Sequence, residues 1–303
     1  MKTILFPTDF SDQARTALEY TLMLAKKMQA KVMMLHVFWI PTQNDAHPQE
    51  IRSREQQFHN EAHRKFEALM ESVQAAQRGV SVEYHVRNGY LVQEIAAMSK
   101  VCRVDLIVTA TKGASGLNEV RGSSISAELI AKTNCPVWVI PTNVTAKPIQ
   151  QIAVAIDYHD SDVYMLEELV RLAALFDAQL TLLHVCETEK DPEMEAVYLH
   201  RLHKQVVCQT GYAKISQQVL PGNDLLTSLK EYLELHPTDL LVMATRDKQL
   251  LEQTYSRSQT KQMAYLTQTP LLAYHAYDFP AKNRPGQANS GQVSPGQANA
   301  VIR

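Results

Sequence analysis

Ile4-Leu-Phe-Pro-Thr-Asp9, followed by Leu35-His36-Val37, returns later in the same chain as Ile152-Ala-Val-Ala-Ile-Asp157 followed by Leu183-His184-Val185. Displaced by 148, residues 4–37 lie on 152–185 without a gap, and eleven of the 34 positions are identical. Displaced by 134, residues 105–137 lie on 239–271 with nine identities, among them Asp105/Asp239, Ala110/Ala244, Thr111/Thr245 and Pro136/Pro270. Chance would match about one position in twenty, so the chain is an internal duplication. Its 303 residues agree with two domains, each long enough to bury one ordinary hydrophobic core.

The repeated stretch also sets the fold class. Residues 3–7 form a short apolar run closed by Pro7 and Asp9, which reads as a buried strand. Ser11 or Asp12 can cap a following helix whose apolar face is Ala14, Ala17, Leu18, Leu22, Ala25 and Met28. Residues 32–37 make a second strand, so strand, helix and strand succeed one another as a βαβ unit, which implies a parallel sheet. Further on, a long amphipathic helix with Ile51, Phe58, Ala62, Phe66, Leu69 and Val73 inward precedes a strand at 80–87. A short helix at 91–101, a strand at 106–109, a helix ending near Thr133 and a strand at 137–140 complete the first copy. The second copy repeats this order with strands at 152–156, 180–185, 213–220, 240–243 and 271–275. The expected architecture is α/β: two tandem five-stranded parallel-sheet domains, Rossmann-like, with helices on both faces. The first spans 1–142 and the second 148–278, joined by a linker at 142–147. Residues 281–303 are rich in Asn, Gly, Gln, Ser and Pro and repeat Pro-Gly-Gln-Ala-Asn, a composition too polar to fold, so a disordered tail is expected there.

Composition removes several function classes. A net charge of -2 argues against a nucleic-acid binder, whose affinity comes mainly from clustered Lys and Arg. The opening Met-Lys-Thr-Ile-Leu-Phe-Pro is too short for the apolar region of a signal peptide, and no run approaches a membrane span. Cys102, Cys135, Cys186 and Cys208 show no C-x-x-C spacing and read as reduced, buried thiols of a cytoplasmic protein.

Chemistry concentrates after the fourth strand. In a parallel α/β sheet, ligands settle beyond the C-terminal strand ends, where strand order reverses. There the first copy carries Asp9, Val37 and the segment Ala110-Thr-Lys-Gly113-Ala-Ser-Gly116-Leu-Asn-Glu-Val-Arg-Gly122-Ser123-Ser124. Its glycines let backbone N–H groups approach an anion, and Ser123 and Ser124 stand where the next helix begins, at the positive end of its dipole. Spacing alone leaves two readings open: a phosphate cradle, or a tight strand-to-helix connection. In the second copy, Asp247, Leu250, Ser256 and Arg257 replace Gly113, Gly116, Gly122 and Ser123, and Glu252 adds further negative charge.

The opening Ile-Leu-Phe-Pro-Thr-Asp, the Leu-His-Val after the second strand, Asp105-Leu-Ile-Val, the Gly/Ser loop and Cys135-Pro136-Val137 resemble the universal stress protein family in its tandem form. The resemblance covers 2–142 closely and 151–277 more loosely. It implies a five-stranded parallel fold per domain and pairing of domains through their fifth strands. It also implies an adenine-nucleotide site, for ATP or a relative of it, in the first domain. That site takes in Pro7 and Thr8, with Asp9 on the ribose or base and Val37 offering backbone groups to adenine. Ala110 and Thr111 lead into Gly113 and Gly116, while Gly113, Gly122, Ser123 and Ser124 hold phosphates. The family pattern is Gly-x-x-Gly, nine residues, then Gly-Ser or Gly-Thr. Here Ala110 stands at the first glycine and eight residues separate Gly113 from Gly122.

Other constellations are weaker. His59 and His63 have a spacing that can hold zinc, yet no third ligand is evident and their neighbours read as a solvated face, so no metal site is expected. His36 and His184 share a context, which points to a shared structural role. No nucleophile stands beside Asp9 and His36, and no Walker-type Gly-Lys-Ser/Thr is present, so ATP hydrolysis is at most slow. Three readings stay open: a cytoplasmic nucleotide binder whose second domain is structural, a nucleotide-free scaffold, and an enzyme acting on an adenylated or phosphorylated small molecule. With two domains already paired in one chain, a monomer or a weak homodimer is expected.

Overall fold

The computed structural model describes residues 2–40, 48–76, 79–111, 125–142, 144–157, 160–187, 191–245 and 259–275. The first half runs β1 (Thr3–Pro7), α1 (Asp12–Met28), β2 (Lys31–Phe38), α2 (Pro48–Ala76), β3 (Val82–Asn88), α3 (Leu91–Val101), β4 (Leu106–Ala110), α4 (Ile125–Lys132) and β5 (Val137–Ile140). The second repeats the order with β6 (Gln151–Ala155), α5 (Asp160–Phe176), β7 (Gln179–Cys186), α6 (Pro192–Thr210), β8 (Ile215–Pro221), α7 (Leu225–Leu235), β9 (Leu240–Thr245), α8 (Gln259–Leu266) and β10 (Leu271–His275).

The two five-stranded halves are not separate sheets. They form one ten-stranded sheet in the order β3-β2-β1-β4-β5-β10-β9-β6-β7-β8. Every pairing within a half is parallel, and the seam is antiparallel, with Leu271 opposite Val139, Leu272 opposite Trp138 and Ala273 opposite Val137. Alternation along β1 sends Ile4 and Phe6 to one face and Leu5 to the other, as the two-residue repeat of a strand requires. The first face is covered by α1, α2, α5 and α6, the second by α3, α4, α7 and α8, and each apolar cluster continues across both halves. The seam is also crossed by a side chain. His275, fully buried at the end of β10, donates its Nε2–H to the carbonyl of Ile130 in the last turn of α4 at 2.7 Å, satisfying an oxygen the helix cannot pair itself.

Three expectations need correction. Phe58 does not face inward: it is 43% exposed and stacks on Phe38 at 5.2 Å. The helical stripe drawn for α1 is too narrow, because Tyr20, Thr21 and Leu24 are buried as well. A helix lying over the middle of the sheet and beside α5 buries more than one stripe. Cys208 is exposed near the end of α6, while Cys135 and Cys186 are buried and Cys102 is half-buried. The expected tail at 281–303 lies outside the described residues.

Two aspartates matched by the repeat work at the N-terminal end of the strands. Asp105 accepts the amide of Thr3 at 2.7 Å, tying β4 to the start of β1. Asp239 accepts the amides of Gln150 and Gln151 at 2.8 and 2.9 Å and pairs with Lys147 at 2.6 Å. Burial alone would raise the Asp239 carboxyl. The Lys147 ammonium and the two amides outweigh it and hold the group below the usual aspartate range.

Candidate functional site

The chain passes from β1 to β2 and β3 on one side, then returns to β4 on the other side of β1. The reversal therefore falls between β1 and β4, where Ile4 lies opposite Leu106 and Leu5 opposite Ile107. Carboxyl ends of such strands diverge into a crevice. Pro7 closes β1, Thr8 and Asp9 follow it, and Ala110 closes β4 with Thr111 next. Val37, half-buried, is the penultimate residue of β2. These six residues share one end of the sheet. Gly113, Gly116, Gly122, Ser123 and Ser124 lie outside the described residues, as does Lys112. The helix that follows them, α4, begins at Ile125.

The turn after β1 is held from several directions. The Thr8 amide donates to Leu35 at 2.9 Å, continuing the ladder one residue beyond Pro7. The Thr8 hydroxyl accepts the Phe10 amide at 3.1 Å, and the Asp9 carboxylate accepts the Ser11 amide at 3.0 Å. Ser11 then caps α1, its hydroxyl accepting the Ala14 amide at 3.2 Å. His36 donates its Nδ1–H to the Thr8 carbonyl at 2.9 Å. A carbonyl can only accept, so this bond places a proton on Nδ1. Asp9 itself is exposed at the mouth of the crevice. On the far side, the Thr111 amide donates to Ile140 at 2.8 Å, carrying the end of β4 one residue past its last strand position.

Phe10 is the residue that sequence reading passed over. Its φ of 64° lies in the left-handed region, which a bulky side chain rarely occupies and which concentrates at functional sites. Its ring lies 4.8 Å from both His36 and Phe66, with the Lys65 ammonium 5.6 Å from its centre. Lys65 also pairs with Glu61 at 2.7 Å, a hydrogen bond and charge that hold the Glu61 carboxyl below its usual range. A positive φ leaves no mark in composition. The available signal was a polar Thr-Asp pair that can fold back on its own amides.

The second half keeps the frame and changes the lining. Ile156 donates its amide to Leu183 at 2.8 Å, as Thr8 does to Leu35, and His184 donates Nδ1–H to the Ile156 carbonyl at 3.0 Å. Isoleucine offers no hydroxyl where Thr8 has one. The outer nitrogen of His184 faces the Glu195 carboxylate at 3.3 Å, both side chains being largely buried. Asp157 is exposed, like Asp9. His63 lies 3.3 Å from the Tyr84 hydroxyl through Nδ1. Among the described residues no group of three or more His, Cys, Asp or Glu is arranged to hold a metal, and no helix is long and apolar enough to cross a membrane.

Comparison with known proteins places this frame. The model of the universal stress protein family matches residues 1–141 and again 148–275. Universal stress protein YxiE of Bacillus subtilis is 30% identical over 153 residues, which are 45% of this chain and 97% of the relative. Universal stress protein MJ0577 of Methanocaldococcus jannaschii is 26% identical over 162 residues, 46% of this chain and 94% of the relative. The crystal structure of a universal stress protein from Archaeoglobus fulgidus aligns over 90% of this chain and 98% of its own, with a TM-score of 0.72 at 18% identity.

Proposed function

As the chain belongs to the universal stress protein family, we propose that its first domain, 1–142, binds ATP or another adenine nucleotide and that its second, 148–278, is a structural partner. The observation that carries the reading is the convergence of Asp9, Val37 and Thr111 on the strand-order reversal, with the backbone at Phe10 held in a left-handed turn. Asp9 meets the ribose or base, the Val37 backbone meets adenine, and the segment from Ala110 and Thr111 through Gly113 and Gly116 to Gly122, Ser123 and Ser124 takes the phosphates. Asp247 and Glu252 oppose a triphosphate in the second domain. Hydrolysis is at most slow, since the loop sequence supplies no evident base and no Walker-type lysine. On this reading the protein works in the cytoplasm as a small-molecule binder, with no nucleic-acid or membrane partner, and two copies associate at most weakly.

Calorimetric titration with ATP tests it. One site per chain is expected, together with a rise in melting temperature that grows with ligand concentration. Absence of both heat and a melting shift at about 1 mM ATP overturns the reading in favour of a nucleotide-free scaffold.

A further inference from the structure

The solvent face of α6 differs in kind from that of its counterpart. A displacement of 133 carries buried Phe66 and Val73 of α2 onto buried Leu199 and Val206 of α6. The same displacement carries Glu61, Arg64 and Lys65, all exposed, onto Met194, Val197 and Tyr198. These three are 51%, 48% and 47% exposed. Spaced by three and four, they form a single apolar stripe on a helix whose other face is already buried against the sheet. Where the first half displays an ion pair, the second displays two apolar side chains and a tyrosine ring.

The ends of the stripe are charged, and with opposite sign. Glu193 is exposed at the first turn, where Asp191 caps the helix, while Arg201 and Lys204 are exposed one and two turns beyond Val197. Glu195 is turned inward to His184 and leaves the stripe uncharged between those ends. Such a surface complements itself when reversed. An identical helix laid antiparallel sets apolar centre against apolar centre and Arg201 against Glu193 twice.

We propose that two copies of the chain meet through α6, antiparallel about a two-fold axis passing beside Val197, midway between Glu193 and Arg201. α6 packs on β7 and β8, and β8 is the edge of the sheet farthest from the first half. A second copy therefore docks without disturbing the β5–β10 seam or the crevice beside β1. Three half-exposed apolar side chains give an interface below the usual size for a stable complex, so the dimer is weak and concentration-dependent. The inference is independent of nucleotide binding.

Sedimentation equilibrium of the full chain tests it. The wild type is expected to be mainly dimeric at about 100 μM and monomeric at about 1 μM. Val197→Glu should raise the dissociation constant at least about tenfold, with an unchanged thermal melt because the site is on the surface. Glu193→Lys and Arg201→Glu should each weaken the homodimer, and an equimolar mixture of the two variants should recover a dimer, since the swapped charges then meet as opposites. Arg64→Glu, on the matching face of α2, should leave association unchanged. A wild type monomeric throughout that range, a Val197→Glu chain that dimerises like the wild type, a mixture that recovers nothing, or an effect of Arg64→Glu equal to that of Val197→Glu each overturns the proposal.

Discussion

His36 and His184 do the same first task and differ in the second. Each donates Nδ1–H to the carbonyl of the residue just past the first strand of its half, at 2.9 and 3.0 Å. Beyond that bond, His36 has the ring of Phe10, and His184 has the carboxylate of Glu195 at 3.3 Å. The position of Glu195 in α6 is taken by buried Ala62 in α2. The shared bond fixes the turn after the strand in both halves. The unshared one separates a turn lined by aromatic rings from a turn backed by a largely buried carboxylate. Duplication thus preserved what shapes the backbone and released what lines the crevice.

The largest expected effect lies in the loop that distinguishes the halves. Gly122→Val places a branched side chain where a glycine stands before the paired serines, and Ser123→Asp adds a carboxylate two residues ahead of Ile125, the first residue of α4. Either should abolish nucleotide binding by the whole chain, measured by calorimetry. Ser256→Val and Arg257→Asp, the matching changes in the second half, should leave stoichiometry and affinity unchanged. Two equal sites in the wild type would break the comparison.

A smaller effect is expected at the buried pair. Glu195→Ala removes the carboxylate that faces a largely buried histidine nitrogen, and should cost about 1–3 kcal/mol of stability by urea denaturation. A loss confined below about 0.5 kcal/mol would show that the pair does not lock this turn.

The mildest effect is a matter of pH. The Asp239 carboxyl is held low in the folded protein. It therefore contributes fully above its ordinary value near about 4 and loses that contribution as pH falls through the lower folded value. Asp239→Asn should flatten the loss of stability as pH falls below about 4.

Much of the frame was legible from local pattern. Short apolar runs mark β1, β5 and β10 at their observed bounds, and the short helix expected at 91–101 is α3. A strand or helix buried against its own neighbours writes its period into sequence. The resemblance implied pairing through the fifth strands, but the direction of the seam and the fusion into one sheet rest on backbone bonds between residues more than a hundred positions apart, which leave no period. The candidate site was half legible: Asp9 and Val37 follow from strand ends, whereas Phe10 depends on a torsion and Glu195 on a contact between separate elements. Asp105 and Asp239 stood out as repeated residues, yet their work is at the opposite end of the sheet, which repetition alone does not reveal.

The bond from His275 to Ile130 carries a further consequence. The counterpart of His275 in the first half is Pro141, which can donate no such bond, so the seam is unequal on its two sides. A pair of identical separate chains could not be built this way, because every substitution in a symmetric dimer is made on both sides at once. Tethering the partners keeps each at a local concentration in the millimolar range about the other and fixes their ratio at one to one however much protein is synthesised. Each half is thus selected against a single, different neighbour. One can specialise while the other keeps the original contract, and along the seam neither has to remain a match for itself.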